Sequence, residues 1–184
     1  MDELERYAAD AAAGDPLAAA AFVRATQTDV WRLCAALGDR DSADDLTQET
    51  YLRAFGSLHR FEGRSSVRTW LLAVARRVCA DALRARRRRP SLVRVDPLDV
   101  EVGDGADRVG EHVAVGDLLS RLDADRREAF VLTQVAGLSY AEAAEVAGCP
   151  VGTIRSRVAR ARADLIGSLS GVGEDTGEGD AAHA

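Results

Sequence analysis

The sequence predicts an all-α fold: two small helical domains joined by a flexible acidic linker, the second containing a helix-turn-helix. Three observations carry that expectation. Ala, Leu, Arg and Glu dominate up to Arg89, where Gly, Pro and β-branched runs are sparse, a composition that favours helix over sheet. From Pro90 to about Glu111 the chain turns to Pro, Gly, Asp and Val without a usable period, as linkers do. Helical patterning then returns and ends in a capped short helix, a Gly-containing turn and a basic second helix, the layout of a helix-turn-helix. The expected divisions are a first domain over 1–89, a linker over 90–111, a second domain over 112–167 and a disordered acidic tail over 168–184.

The elements follow in order. Asp15-Pro16 reads as an N-cap with Pro at the first helical position, and Gly38 as the stop after Phe22, Val30, Leu33 and Leu37. A second helix runs from Asp41 or Ser42 to Phe55, with Ala43, Leu46 and Thr50 on its inner face. Gly56 and Gly63 bracket a loop. Ser65-Ser66 then cap a third helix that aligns Val67, Leu71, Val74 and Val78 and continues to about Arg88. Beyond the linker, 117–122 and 125–135 are apolar-periodic. Ser139 with Glu142 three residues later is a capping box, and Gly148-Cys149-Pro150 stops that helix. The last helix turns Ile154, Val158, Ala161 and Leu165 inward, leaving Arg155, Ser156, Ala159, Arg160 and Arg162 outward.

At 184 residues and 47% hydrophobic content the chain has enough material for one core or two. A net charge of -6 argues on average against a nucleic-acid partner, but the charge is unevenly placed. All 24 basic residues are Arg. Eleven of them fall between Arg60 and Arg94, against Glu62 and Asp81 alone, and Arg155, Arg157, Arg160 and Arg162 face only Asp164. The absence of Lys fits a GC-rich coding bias as well as it fits guanidinium chemistry. Cys34, Cys79 and Cys149 are too far apart for paired metal-ligand spacing and read as reduced core thiols. No metal or cofactor is expected. No run of 18 uncharged apolar residues and no leader pattern occurs, so a cytoplasmic protein without membrane insertion is expected.

The basic second helix of the helix-turn-helix suits a DNA major groove, where Arg pairs bidentately with guanine and other arginines fix position on phosphates. In the first domain Arg68, Arg76, Arg77 and Arg84 recur along one helix beside Phe61 and Trp70. Cations with aromatics are what single-stranded DNA requires, for phosphate and for base stacking. A solvated helix end remains open for Arg84 to Arg89, and a packing role for Trp70.

The run SADDLTQETYLRAF at 42–55, followed by FEGRSSVRTWLLAVARRVCADALRARRRR at 61–89, resembles the polymerase-binding and minus-ten domain of extracytoplasmic-function sigma factors of the sigma-70 family. LSYAEAAEVAGCPVGTIRSRVARARADL at 138–165 resembles their minus-thirty-five domain and is similar to the sigma factor C subgroup. The resemblance implies a non-enzymatic protein that binds core RNA polymerase and promoter DNA. It implies docking on the clamp helices of the largest subunit through Asp44, Asp45, Leu46, Gln48, Glu49 and Arg53, and contact with the flap of the second-largest subunit. It assigns capture of melted minus-ten DNA to Phe61, Gly63, Arg64, Ser65, Ser66, Arg68, Arg76, Arg77 and Arg84. Reading of the minus-thirty-five element falls to Thr153, Arg155, Ser156, Arg157, Ala159 and Arg160, although family members often carry a larger residue where Ala159 stands. The linker acids Asp96, Asp99, Glu101, Asp104 and Asp107 would thread a basic polymerase channel, and an anti-sigma protein is a further expected partner. Two alternatives stay open on the residues alone. One is a helix-turn-helix regulator that does not bind core polymerase; the other is an enzyme acting on nucleic acid, for which no nucleophile–base pair, carboxylate cluster or phosphate loop speaks.

Overall fold

The computed structural model describes residues 2–38, 40–88 and 116–170, so the linker at 90–111 and nearly all of the expected tail lie outside the described residues. Every regular element among the described residues is helical. The first half comprises α1 (Glu3–Ala12), α2 (Pro16–Leu37), α3 (Ala43–Ser57), a single 3-10 turn (Leu58–Arg60) and α4 (Val67–Arg88). The second comprises α5 (residues 116–120), α6 (Ala124–Phe130), a wider π-helical turn (Val131–Val135), α7 (Tyr140–Ala147) and α8 (Val151–Ser170).

Local chemistry explains most boundaries. Asp15 accepts from the Leu17 amide at 2.8 Å and Pro16 starts α2. At the other end Gly38 donates to the Cys34 carbonyl at 2.8 Å. A Cβ on Gly38 would lie 2.6 Å from Leu46 Cδ1 and 2.8 Å from the Cys34 oxygen, so glycine stands there for space. Ser66 Oγ accepts from the Thr69 amide at 3.1 Å and opens α4. One helix escaped the sequence reading: α1 is opened by an Asp2/Glu5 capping box of the same kind as the one noted at Ser139. One boundary moves. The expected disordered tail begins at 168, yet α8 continues to Ser170, because a single Gly167 costs only about 1 kcal/mol within a helix of good formers.

The core forms where the stripes meet. Phe22, Val30 and Leu33 of α2 pack with Val67, Leu71, Leu72 and Val78 of α4, all at most 2% exposed. In the second half Val131, Leu132, Ile154, Val158 and Ala161 are equally enclosed. These are not separate bodies. Buried residues of both halves belong to one apolar cluster, and α4 packs on α7 while α2 meets the π-helical turn.

Candidate nucleic-acid interface

The helix-turn-helix is built by its caps. Ser139 Oγ accepts from the Glu142 amide at 3.2 Å, and a Glu142 oxygen accepts from the Ser139 amide at 2.9 Å. Hydrogen bonds to its carboxylate, from the Ser139 hydroxyl first and then from the Ser139 amide and Thr69, hold the Glu142 carboxyl below the ordinary glutamate value. At the far end Gly148 takes φ +68. The amide of Gly148 then reaches the Glu145 carbonyl and that of Cys149 the Ala144 carbonyl, at 3.3 and 3.1 Å. That Schellman pair turns the chain sharply into α8. Ile154, Val158 and Ala161 are buried beneath it, leaving Arg155, Ser156, Ala159 and Arg160 exposed on the opposite face.

Two predicted residues of this helix sit differently. Thr153 is half-buried and its carbonyl accepts from Ser156 Oγ at 2.9 Å. Arg157 is 26% exposed and pairs with Asp125 of α6, so its guanidinium anchors α8 and is spent on the fold. Arg126 to Asp164 (2.6 Å) and Arg162 to Gln134 (2.8 Å) tie α8 to the preceding elements in the same way.

In the first half the loop after the 3-10 turn carries Phe61, Gly63, Arg64, Ser65 and Ser66. The Phe61 and Trp70 rings lie 5.3 Å apart at 50°, so each covers part of the other. Gly63 has φ +68 and Arg64, exposed, pairs with Glu62. Along α4, Arg77 and Arg84 face solvent, Arg84 resting 2.5 Å from Asp81. Arg68 and Arg76 do not. Arg68 Nη2 bonds Asp29 Oδ2 and the Ala136 carbonyl, each at 2.7 Å, while Arg76 grips both oxygens of Glu128 at 3.0 and 3.2 Å. The second half thus lies across part of the predicted DNA face.

On α3 the exposed acids are Asp44 and Asp45, with Gln48 beside them and Glu49 half-buried. Leu46 is corrected: only 7% exposed, it fills the core below this face and has no surface to offer a partner. The residue the sequence reading missed is Leu52, 64% exposed and three or four residues beyond Gln48 and Glu49 on the same stripe. An apolar residue at i+7 from Asp45 was the available signal. Arg53 bonds Glu49 and Asp81, each at 2.7 Å, which raises its pKa, Asp81 first. Cys34 and Cys79 are buried free thiols, and the neighbouring Cys34 thiol, together with burial, pushes the Cys79 thiol up. Among the described residues no group of His, Cys, Asp or Glu is placed to hold a metal, and no helix is long and apolar enough to cross a membrane.

Residues 22–89 match the Sigma-70 region 2 family and residues 112–165 the Sigma-70, region 4 family. The ECF RNA polymerase sigma factor SigC of Mycobacterium tuberculosis is 56% identical over 161 residues, covering 86% of this chain and 87% of the relative. The chain belongs to the extracytoplasmic-function sigma factors. A further member, EcfG of Rhodopseudomonas palustris, is 37% identical over 80% of this chain and 82% of its own length. Among solved structures, CnrH in complex with the cytosolic domain of CnrY aligns with TM-score 0.74 at 29% identity, covering 92% of this chain and 99% of that one. The sigma factor RpoE of Bartonella quintana, in complex with the anti-sigma factor NepR, aligns with TM-score 0.62 at 30% identity, covering 81% and 96%. In this sigma factor the two family matches coincide with the α2–α4 unit and the α5–α8 unit.

Proposed function

We propose that this sigma factor binds core RNA polymerase through the acidic face of α3, reads a minus-thirty-five element with α8 and captures melted minus-ten DNA with the 61–66 loop and α4. The observation that carries the reading is the pair of cationic surfaces on two different helices: Arg155 and Arg160 on α8, Arg77 and Arg84 on α4, all exposed. Arg155 and Arg160 supply forked donors for guanine edges. Arg77 and Arg84 supply phosphate contacts along α4, and the Phe61–Trp70 pair supplies stacking surface for an unpaired strand. Asp45, Gln48, Glu49 and Leu52 form one stripe for the clamp helices of the polymerase largest subunit; the flap of the second-largest subunit is the expected support for the second domain. The protein acts by binding, in the cytoplasm with the polymerase, and performs no chemistry itself. An anti-sigma protein is a further expected partner, supported by the complex of the structurally similar RpoE with NepR. The linker acids Asp96, Asp99, Glu101, Asp104 and Asp107 lie outside the described residues, and their passage through a polymerase channel is part of the same proposal.

Transcription in vitro with core polymerase on a promoter library tests this. Site-selected transcripts that depend on Arg155 and Arg160 are expected. Transcripts from no promoter, or DNA binding with no association with core, would overturn the reading.

A further inference from the structure

The guanidinium of Arg53 on α3 is held between two acids. Its Nε donates to Glu49 Oε1 and its Nη1 to Asp81 Oδ2, each at 2.7 Å. Glu49 lies one turn back on the same helix, but Asp81 belongs to α4 and is the only acid in that helix. It stands four residues after Arg77 and three before Arg84, the spacings that bring helical side chains side by side. Its other oxygen, Oδ1, accepts from Arg84 Nη2 at 2.5 Å. One carboxylate therefore lies between the two exposed arginines of the α4 face, where its charge opposes any phosphate that approaches them. Hydrogen bonds from Arg53 first and Arg84 second hold the Asp81 carboxyl below the ordinary aspartate value, so it is ionised at neutral pH. Arg53 is the cation that answers it from outside the helix.

We infer that Arg53 is a positioning residue for the strand-binding face, acting through Asp81: it holds and neutralises that carboxylate, leaving Arg77 and Arg84 to meet phosphate without an opposing anion. The inference rests on the reading of α4 as the minus-ten surface. It moves Arg53 from the docking set implied by resemblance to the DNA side, while Asp45, Gln48, Glu49 and Leu52 keep the polymerase stripe. Arg53 and Asp81 are 44% and 45% exposed, so the effect is modest and fades as salt screens the charges.

The experiment takes holoenzyme, reconstituted with core RNA polymerase and purified away from unbound sigma factor. Fluorescence anisotropy reports its binding of a labelled random-sequence pool of short single-stranded oligodeoxynucleotides, at one fixed low salt concentration. Arg53→Ala is expected to weaken binding about threefold, the size proper to half-exposed charges, and Arg53→Lys, which keeps the charge, to bind as wild type does. Asp81→Asn alone is expected to bind at least as tightly as wild type, whereas loss of a merely structural bridge would weaken both single variants alike. In the Asp81→Asn background, adding Arg53→Ala is expected to change nothing, because the carboxylate through which Arg53 acts is gone. The inference is overturned if Arg53→Ala binds the pool like wild type, if Asp81→Asn weakens binding, or if Arg53→Ala costs the same factor with and without the carboxylate. Binding indifferent to Arg77→Ala combined with Arg84→Ala would instead sink the reading of α4 itself, and the inference with it.

Discussion

The indole N–H of Trp31 on α2 donates to Asp44 Oδ1 at the start of α3, 2.8 Å away. One carboxylate of the acidic face of α3 is therefore committed within the fold, while its neighbour Asp45 faces solvent. Asp44→Ala should cost about 1 kcal/mol of stability, the usual worth of a partly exposed bond to a charged acceptor, and should shift Trp31 emission. Asp45→Ala should leave urea unfolding unchanged and weaken association with core polymerase. Equal destabilisation by both variants would remove the distinction.

Gly38→Ala tests the α2–α3 corner. The added Cβ meets a flexible Leu46 methyl but also the Cys34 backbone carbonyl, which has little freedom to move. A loss of about 1–3 kcal/mol is expected, as for overpacked cores, measured as a lower urea midpoint with unchanged slope. Gly56→Ala, where nothing lies within 4 Å, is the matched control and should be neutral or slightly stabilising.

The second half should lose stability on acidification through Glu142. Its folded-state pKa is lowered, so the stability it contributes is complete above the unfolded glutamate value, about 4.3, and disappears as pH falls through the lower folded value. Glu142→Gln should therefore be less stable at neutral pH and show a shallower decline in acid. Ser139→Ala should cost about 1 kcal/mol and flatten the same profile, because the Ser139 hydroxyl is the leading cause of the shift.

Arginines of α8 should separate into two groups. Arg155→Ala or Arg160→Ala should lose about 1–3 kcal/mol of discrimination between promoter sequences with thermal stability retained. Arg157→Ala should do the reverse: a lower melting temperature from the lost Asp125 contact, with base preference intact in the folded fraction. A uniform loss on all sequences for Arg155→Ala would show that it touches phosphate only.

Much of the architecture was legible because it is local. The Asp15-Pro16 start, the Gly38 stop, the Val67–Val78 stripe of α4 and the Ser139/Glu142 box each involve residues three or four apart, or single residues whose backbone chemistry ends a helix. The same logic, applied to Asp2 and Glu5, would have revealed α1. The outward set Arg155, Ser156, Ala159 and Arg160 followed from the 3.6-residue period of α8 and lies where that period puts it.

What the sequence by itself determined, then, was the set of helices, their caps, their apolar faces and the two clusters of arginine. Tertiary structure alone decided which charges remain available: Arg157 goes to Asp125, Arg76 to Glu128 and Arg68 to Asp29 and Ala136, partners 32, 52, 39 and 68 residues away. It also left Leu52 exposed. The physical reason is that helical periodicity ranks the faces of one helix but carries no term for which neighbour each face meets. A guanidinium between two helices is claimed by whichever carboxylate or carbonyl the packing brings within about 3 Å.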